Sequence, residues 1–372
     1  MGEYRWSAED VLPGHPDRLC DAVAENIVEY ACWFDTEALV GVEVALHRNK
    51  LFVTGRIAAS EDLYGGWDID PELLKLDTLV KKSFEDAGYT GRWEHHVDIV
   101  TDLDIGGIED DERAIRRYSD DQTIAVGYSD PHTPTGMPIE TILARRLREN
   151  LSGIQQANSA LLGPDGKILV TLAGQPRKPR VVAVNISIQH TPGLGYGDLH
   201  EIILPGVLST LAGLDANLDV DLAGDWFRLN GIGDFTCGGP LGDNGLSGKK
   251  LVVDHYGPNV PIGGGAICGK DVHKPDRVGA LRARQIARRL AQSVNDTARV
   301  TLGYLPGLEN PDRLDAVLGD GRRLDESLVG SLIALPDSSL AGTVKDLELW
   351  RTPWADVMRE GYFGNPERKW ET

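Results

Sequence analysis

Apolar positions along the chain fall into alternating runs of helical and strand-like spacing, with turn-forming residues between them. A first helix is predicted at 16–31 because four apolar residues recur there every four positions: Leu19, Val23, Ile27 and Ala31. Strand-like runs at 38–46 and 51–58 flank a basic turn, and this arrangement favours a β-hairpin. The remaining runs predict helices at 77–87, 138–151, 200–211 and 275–294 and strands at 97–103, 122–128, 168–173, 180–190, 226–229, 250–256 and 298–304.

These elements form three stretches of similar length, and each stretch mixes strands with helices. Such a repeated order predicts an α+β fold built on a triplicated unit. Glycine-rich segments near 104–121 and 230–248 separate the stretches, and loops of this kind often carry binding residues. We therefore predict an N-terminal domain at 1–112, a central domain at 113–231 and a C-terminal domain at 232–372.

Composition and charge narrow the classes of function. The chain has 372 residues, of which 41% are apolar and 26% charged, as is typical of a folded globular protein, and its net charge is −19. That charge argues against nucleic acid or an anionic membrane surface as a partner, because both attract clustered Lys and Arg. No apolar run is long enough to span a bilayer, and residues 1–10 lack the features of a secretory signal, so the cytoplasm is the expected location. The cysteines show no CxxC or zinc-site spacing and are expected to be buried free thiols: Cys20, Cys32, Cys237 and Cys268.

The segment Gly14-His15-Pro16-Asp17 stands at the start of the first predicted helix. Proline at the first helical position leaves backbone N–H groups free, and the helix dipole makes this end favourable for an anion. Asp17 would then hold Mg²⁺ on a phosphate chain, and His15 would meet a leaving oxygen. The alternative is a helix cap with a histidine whose hydrogen bonds are satisfied inside the protein.

Two glycine-rich blocks follow in the last third of the chain. The first, 238–250, ends in Lys249 and Lys250 and lets the backbone approach a ligand closely, although a flexible surface loop is the alternative. The second, 263–271, comes close to the P-loop pattern but has Asp271 where that pattern needs Ser or Thr, so a P-loop fold is not expected. A cluster at the entry to a helix still suits a polyphosphate and its metal: Lys270, Lys274 and Asp276.

The segments 14–17, 238–250 and 263–276 resemble the signature segments of the methionine adenosyltransferase (S-adenosylmethionine synthetase) family. Order and spacing match over essentially the whole chain, and shorter stretches agree as well: 121–122, 165–167 and 361–364. The resemblance implies three βαββαβ domains related by a pseudo-threefold axis, in a homodimer or dimer of dimers with active sites between subunits. It implies that ATP and methionine give S-adenosylmethionine, with Mg²⁺ and K⁺ as cofactors, and that tripolyphosphate is then cleaved to pyrophosphate and phosphate.

Site residues follow from this resemblance position by position. His15 would assist departure of the ribose 5′ oxygen, Phe235 would stack on adenine, and Asp121 would face the sugar or the co-substrate. The residues expected to grip the phosphate chain are Lys167, Lys249, Lys250, Lys270 and Lys274, with Lys274 also near the co-substrate. The expected Mg²⁺ ligands are Asp17 and Asp276, with Asp243 nearby; Glu43 is the expected K⁺ ligand, Glu9 belongs with the metal ligands, and Asp165 belongs with the ATP-binding residues.

Three departures from the family pattern bear on the co-substrate. Arg56 stands where the family has an acidic residue that pairs with the ammonium of methionine. The loop 104–119 is shorter and more strongly charged than its counterpart, and Pro306 replaces an apolar residue that lines the methionine side chain. One interpretation is that another acid, such as Asp102 or Asp104, takes the ammonium while Arg56 turns to solvent or pairs with that acid. The other is a different sulfur nucleophile, one without this ammonium or with an extra carboxylate.

A third hypothesis belongs to another class of function, a non-catalytic homologue that serves as a binding or regulatory subunit. The residues expected for phosphate and metal binding are all present in kind, and Lys249 keeps the charge of the Arg that is usual at its position. Because inactive homologues usually lose such residues first, the sequence favours an enzyme.

Overall fold

A computed structural model describes residues 3–59, 75–213 and 218–372. The strands in these ranges are β1 (Arg5–Val11), β2 (Leu39–His47), β3 (Lys50–Ala59), β4 (Asp98–Gly107), β5 (Thr123–Ser129), β6 (Leu162–Gln175), β7 (Lys178–His190), β8 (Asp219–Val220), β9 (Phe227–Leu229), β10 (Gly245–Leu246), β11 (Ala298–Tyr304), β12 (Arg313–Leu318) and β13 (Arg323–Asp325). The α-helices in the same ranges are α1 (Pro16–Phe34), α2 (Leu76–Asp86), α3 (Asp110–Ile115), α4 (Ile139–Ala157), α5 (Tyr196–Ala212), α6 (Leu251–Asp254), α7 (Pro275–Val294), α8 (Glu326–Leu332), α9 (Leu340–Leu347) and α10 (Trp354–Glu360).

Helix α1 begins where the sequence predicts it. His15 caps the helix with an extended backbone, and Pro16 occupies the first turn, where a missing N–H costs no intrahelical hydrogen bond. The residues of the predicted apolar stripe are all completely buried: Leu19, Val23, Ile27 and Ala31. The helix packs against β2, β10, α2 and α10, so it contacts elements from both ends of the chain.

The strands form three sheets that are mostly antiparallel. Sheet A has the order β1-β6-β7-β8, with β9 also pairing with β7; sheet B has the order β10-β2-β3-β4; and sheet C has the order β13-β12-β11-β5. The predicted hairpin is confirmed as β2-β3, which pairs Leu39 with Ala58 and His47 with Lys50 at its two ends. Strand β4 then joins β3 in parallel, after a connection that includes α2.

In each sheet, one strand comes from a different third of the chain than the other strands. Strand β1 pairs with β6, β10 pairs with β2, and β5 pairs with β11. The sheets therefore do not divide the chain into consecutive units. The boundaries at 1–112, 113–231 and 232–372 stay a prediction.

The prediction of a strand at 250–256 is wrong, because these residues contain the short helix α6. Asp254 at the end of α6 is buried, and its carboxylate accepts a hydrogen bond of 2.5 Å from Arg18 of α1. A short apolar run fits a strand or a buried helical turn equally well, and local spacing does not report a contact with α1. The other predicted helices and strands are present, with ends that differ by up to six residues.

Two apolar cores lie beneath the sheets. Sheets B and C enclose the larger core with α1 and α7, and sheet A covers the smaller one with α4 and α5. Helix α7 can approach sheet C closely because β5 has glycine at position 127, where a Cβ would lie 2.0 Å from the Ala283 carbonyl oxygen. Buried and exposed residues alternate along β2 and along much of β6, so sheets A and B each keep one open face.

The mixture of helices and largely antiparallel sheets confirms the predicted α+β class. Within the described ranges, no helix is long and apolar enough to cross a membrane. All four cysteines are free thiols, and Cys20, Cys32 and Cys268 are buried as predicted. Cys237 is exposed, so the prediction is wrong there, because the loop that carries it lies at the surface.

Candidate active site

The turn before α1 holds His15 and Asp17 on a closely packed backbone. The Nδ1 atom of His15 accepts a hydrogen bond of 3.2 Å from the backbone N–H of Asp17, so the imidazole itself caps the helix. Gly14 lies so close to Pro164 that a Cβ at position 14 would be 2.4 Å from the Pro164 carbonyl oxygen. The Tyr89 hydroxyl donates a hydrogen bond of 2.7 Å to the Gly14 carbonyl. These contacts fix the position of the imidazole.

The His15 imidazole is neutral at physiological pH. Burial lowers its pKa to about 3, the charges of Lys250 and Lys167 act in the same direction, and the charges of Asp17 and Asp243 oppose them. Because Nδ1 accepts a hydrogen bond, the proton of the neutral ring is on Nε2. That Nε2 atom is buried and has no hydrogen-bond partner among the described residues. The ring therefore offers one uncharged N–H donor to a group that these residues do not supply.

Two lysines converge on the Asp17 carboxylate. The Lys250 ammonium lies 2.7 Å from Oδ2, the Lys249 ammonium lies 3.6 Å from Oδ1, and the Leu246 N–H donates to Oδ1 at 3.0 Å. Burial alone raises the pKa of Asp17, but the hydrogen bonds from Lys250 and Leu246 and the nearby positive charge outweigh it and lower the pKa below its usual range. The carboxylate is thus ionised at neutral pH, next to two cations.

Asp165 lies beside the same glycine-rich block. Its Oδ2 atom accepts a hydrogen bond of 2.8 Å from the Gly239 N–H, and its Oδ1 atom is buried without a hydrogen-bond partner in the described ranges. Burial raises the pKa of Asp165 to about 6, against the opposing effects of the Gly239 N–H and the Lys167 ammonium. Lys167 is exposed two residues further along β6. This carboxyl therefore titrates close to neutral pH.

Asp243 and Phe235 border this group. Asp243 is exposed, and its charge acts on both His15 and Asp165. Phe235 is half-buried, and its backbone N–H donates to the Nε2 atom of His190 at 3.1 Å. We refer to His15 and the charged residues around it as the His15 cluster: His15, Asp17, Asp165, Lys167, Asp243, Lys249 and Lys250.

A second group of charged residues lies at the start of α7. The Lys270 ammonium is hydrogen-bonded to Asp276, the Lys274 ammonium to Asp120, and the Thr123 hydroxyl to Asp276. The side chains of Lys270 and Lys274 are 29% and 23% exposed, so both remain accessible. We refer to Lys270, Lys274 and Asp276 as the Lys270 cluster.

An open groove of about 520 Å³ lies between sheet B and the glycine-rich block 263–271. Lys270 and Glu43 both line it, as does Gly248, which directly precedes the lysine pair of the His15 cluster. Among the described residues, no hydrogen bond or ion pair connects the two clusters. A single chain therefore presents two separate groups of lysines and carboxylates.

Asp121 and Pro306 lie outside both clusters, on neighbouring loops. The Asp121 carboxylate is exposed and accepts a hydrogen bond of 2.7 Å from the Gln122 N–H. Pro306 is exposed in the turn that follows β11. The two loops are joined because the Ser119 N–H donates to the Leu308 carbonyl at 2.9 Å.

The Arg56 guanidinium is occupied by other residues of the protein. It forms two hydrogen bonds of 3.1 Å with Glu112, one of 3.0 Å with Asp104 and one of 3.2 Å with the Gly107 carbonyl. Asp102, the other acid considered for this region, is exposed on β4. The positive charge at position 56 is thus balanced within the protein by two carboxylates.

The carboxylates predicted to bind Mg²⁺ are suited to do so together with a phosphate ligand. Among the residues described, no three His, Cys, Asp or Glu side chains are grouped so that they alone could hold a metal. Mg²⁺ sites in phosphate-handling proteins use one or two carboxylates and complete the shell with phosphate oxygens and water. Asp17 and Asp276 each offer one carboxylate beside lysines and suit this arrangement. Glu43 and Glu9 each offer a single exposed carboxylate, on β2 and β1.

Three residues that hold candidate site residues in place carry no motif: Tyr89, Glu112 and Asp120. Asp120 and Lys274 are 154 residues apart, and Glu112 and Arg56 are 56 residues apart, so local spacing does not pair them. The available signal is the concentration of acids between 104 and 121. Tyr89 has no comparable signal, because a single tyrosine after a helix is common.

Comparisons with known proteins relate the whole chain to one family. Models of the N-terminal, central and C-terminal domains of S-adenosylmethionine synthetase match residues 3–103, 117–226 and 237–372. The S-adenosylmethionine synthase of a Nitratiruptor species is 30% identical, and that of Brachyspira hyodysenteriae is 31% identical; each comparison covers 99% of this chain and 95% of the relative. The solved structure of an unusual S-adenosylmethionine synthetase from Campylobacter jejuni shares the fold, with a TM-score of 0.87, 24% identity and coverage of 99% of this chain and 97% of that one.

The predicted three-domain fold and the predicted resemblance are thereby confirmed. The similarity extends over nearly the full length, at about 30% identity. The chain belongs to the S-adenosylmethionine synthetase family, a family of methionine adenosyltransferases, as a divergent member.

Proposed function

We propose that the protein transfers the adenosyl group of ATP to methionine, giving S-adenosylmethionine, and then cleaves the departing tripolyphosphate to pyrophosphate and phosphate. In the first step the sulfur forms a bond to C5′ of the ribose, and the bond from C5′ to the triphosphate oxygen breaks. Such a displacement needs aligned reactants and compensation of the charge that grows on the leaving group. It needs little acid–base catalysis.

The observation that carries the proposal is the free Nε2–H of His15. An oxygen that gains negative charge as its bond to C5′ breaks is stabilised by a fixed donor, and the N-terminus of α1 adds a partial positive charge beside it. Because the pKa of His15 is held at about 3, the ring keeps this single proton throughout the physiological range. In the proposal, His15 therefore donates a hydrogen bond and does not transfer a proton.

Lysines from both clusters are proposed to grip the phosphate chain. Lys249 and Lys250 meet at Asp17, and Lys270 is paired with Asp276, so each cation already has a defined position beside a carboxylate. A triphosphate would compete for the same ammonium groups with more negative charge. Asp17 and Asp276 would hold Mg²⁺, and the ion would supply further charge compensation.

The remaining roles are also proposals. Phe235 is proposed to stack on adenine, and Asp121 and Pro306 are assigned to the co-substrate side together with Lys274. Glu43 is assigned to K⁺ because it lines the same groove as Lys270. The cytoplasm is the proposed location, since it supplies ATP and keeps free thiols reduced.

Methionine is the co-substrate that the charges around Arg56 favour. The guanidinium already makes four hydrogen bonds, and three of them go to the carboxylates of Glu112 and Asp104. These two negative charges and the one positive charge of Arg56 leave a net negative charge. Asp102 adds another exposed acid on the same strand as Asp104. Such surroundings attract an ammonium group. A nucleophile with an extra carboxylate would need a guanidinium with free donors.

We also propose that two copies of the chain build the active sites between them. On the open face of sheet B an apolar row crosses all four strands, with these residues side by side in the register: Leu246, Ala45, Phe52 and Val100. The large members, Leu246, Phe52 and Val100, are 44%, 39% and 46% exposed. The open face of a sheet is ordinarily polar, so this row suits a self-complementary contact between two copies.

Mixing two inactive variants tests whether the two clusters act across a subunit boundary. His15→Ala disables one cluster, and Lys270→Ala disables the other. If the sites are shared, an exchanged mixture regains about a quarter of wild-type activity, because half of the dimers are mixed and one of their two sites is intact. No recovery after verified subunit exchange would show that sites are not shared in this way.

The reaction itself is tested with purified protein, ATP, Mg²⁺, K⁺ and a panel of sulfur nucleophiles, read by mass spectrometry. We expect S-adenosylmethionine with methionine, and pyrophosphate and phosphate in equal amounts. Tripolyphosphate supplied alone should also be cleaved. An adenosylated product from another nucleophile but not from methionine would overturn the co-substrate. Absence of both adenosyl transfer and tripolyphosphate cleavage would favour the non-catalytic homologue.

A further inference from the structure

Arg116 links the segment before β5 to the loop that carries the Lys270 cluster. It follows α3 directly and is 8% exposed. Its guanidinium donates to both carboxylate oxygens of Asp271, at 3.0 Å and 3.3 Å, and to the Ala38 carbonyl at 2.6 Å. Asp271 directly follows Lys270 in the chain, so Arg116 binds the loop that carries this lysine.

Asp271 anchors this loop to sheet B. Its side chain is completely buried, and its carboxylate also accepts hydrogen bonds from the Val40 N–H at 2.8 Å and the His273 N–H at 2.7 Å. The backbone beside it runs along β2, because the Asp271 N–H donates to the Val40 carbonyl and the Val42 N–H to the Gly269 carbonyl, both at 2.9 Å. The loop that carries two candidate phosphate ligands is therefore held to β2 by its backbone and by one buried carboxylate.

Arg116 is the main counter-charge of this carboxylate, and Lys274 contributes a smaller effect. Burial raises the pKa of Asp271, and the charge of Arg116 is the largest of the opposing effects that bring it below its usual range. Among the described residues, Arg116 is also the ion-pair partner of Asp271. Without Arg116, a buried anion would stand unpaired between Lys270 and Lys274. A lysine that turned inward to neutralise it would leave the phosphate chain.

Further contacts hold the segment that carries Arg116 in place. Asp120 pairs with Lys274, and the Ser119 N–H is bound to the turn after β11. At the other end of the segment, Glu112 holds Arg56. Arg116 thus acts from a segment that is fixed on both sides, as a positioning group must be.

We propose that Arg116 is a positioning residue for the polyphosphate chain: through Asp271 it sets the places of Lys270 and Lys274 without touching the substrate. The proposal rests on the proposed function, because it takes a tripolyphosphate chain as the ligand of these lysines. It predicts a defect that is much larger at the phosphate end of the reaction than in the binding of the sulfur nucleophile, which Lys274 also approaches.

Substitutions at two adjacent arginines test the proposal. Arg116→Lys keeps the charge but loses the planar fork, and Arg116→Met loses both. Arg117→Met is the matched control, because Arg117 is 65% exposed and pairs with Glu309 at the surface. We expect Arg116→Lys to lower kcat for tripolyphosphate cleavage about tenfold and Arg116→Met about a hundredfold, with KM for methionine within about twofold of wild type. Arg117→Met should match wild type.

A merely structural role gives a different pattern. It lowers Tm and the yield of folded protein, while kcat of the folded fraction stays at the wild-type value, and that result would overturn the proposal. If Arg116→Met does not fold, Arg116→Lys is the test. A fully folded Arg116→Lys protein with the wild-type kcat would also overturn the proposal.

Failure of the proposed function can be distinguished from failure of this inference. If the wild type makes no adenosylated product and cleaves no tripolyphosphate, the proposed function fails. Calorimetric titration with tripolyphosphate and Mg²⁺ then tests the positioning role through the binding affinity alone. Arg116→Lys should weaken that binding at least about fivefold relative to Arg117→Met, and equal affinities would overturn the role of Arg116.

Discussion

Replacing Arg56 by glutamate places a new carboxylate opposite two others. In the protein, the guanidinium bridges Glu112 and Asp104, and the side chains of Arg56 and Glu112 are 24% and 22% exposed. The substitution removes three hydrogen bonds between opposite charges and leaves three acids together. We therefore expect a loss of stability, whatever happens to the substrate.

The size of this loss follows from the contacts. A hydrogen bond between charged groups contributes about 1.5–3 kcal/mol, and partial exposure of the pair limits the two-pronged contact with Glu112 to roughly 2 kcal/mol in all. A glutamate at position 56, about 5 Å from Glu112, adds roughly 3 kcal/mol of repulsion at an effective dielectric constant of about 20. Arg56→Met should thus lower the free energy of unfolding by about 2 kcal/mol, and Arg56→Glu by about 3–5 kcal/mol.

Urea unfolding at equilibrium measures these free energies of unfolding. The decisive variant is the swap Arg56→Glu with Glu112→Arg, which restores opposite charges and should recover at least about half of the loss. Lys50→Glu is the control, because its partner Asp98 is equally exposed at the surface and the ion pair contributes little. An Arg56→Glu protein as stable as wild type, or a swap no better than the single variants, would refute the ion pair as described.

The same variants answer a question about specificity. Glu112 and Asp104 already supply negative charge around Arg56, so Arg56→Glu should not raise kcat/KM for methionine. A tenfold rise or more would show that Arg56 keeps the ammonium of methionine out of the pocket. The native co-substrate would then be a different nucleophile.

Three further predictions concern the clusters. His15→Asn should lower kcat for S-adenosylmethionine formation about 10²–10³-fold, because it removes the free Nε2–H, and no kinetic pKa near the ordinary histidine value should be assignable to this ring in the wild type. The pKa of Asp165 rises on folding from 3.8 to about 6, so the native state binds the extra proton and the contribution of Asp165 to stability falls as pH rises through this range. Urea unfolding from pH 4 to 7 should show a smaller decline in Asp165→Asn than in the wild type, and the part that remains belongs to other buried carboxyls such as Asp21, whose pKa burial raises to about 7. Lys270→Ala and Asp276→Ala should each abolish product formation in the mass-spectrometric assay, and ordinary turnover in either would contradict the role given to it.

Local features of the sequence are enough to predict most of the elements and the start of the site. The fourfold spacing of Leu19, Val23, Ile27 and Ala31 reports the buried side of α1 without any knowledge of what covers it. Proline at the first turn and a capping side chain before it likewise locate His15 at a helix N-terminus. Such signals depend only on residues within a few helical turns of one another.

Contacts between distant segments could not be predicted in this way. The ion pairs of Arg56 with Glu112 and of Arg116 with Asp271 depend on how β3, β4, α3 and the loop before α7 come together, and neither residue spacing nor composition encodes that arrangement. The sequence offers Asp104 as a partner of Arg56 but gives no sign of Glu112, and for this reason the charge reversal at position 56 left a different substrate open.

The exchange of edge strands among the three sheets makes the thirds of the chain depend on one another during synthesis. Sheet B is incomplete until β10 has left the ribosome, and β5 has no partner until β11 emerges more than 160 residues later. A nascent chain halted after the central third would therefore expose unpaired strand edges on two sheets, which makes it a substrate for chaperones and proteases.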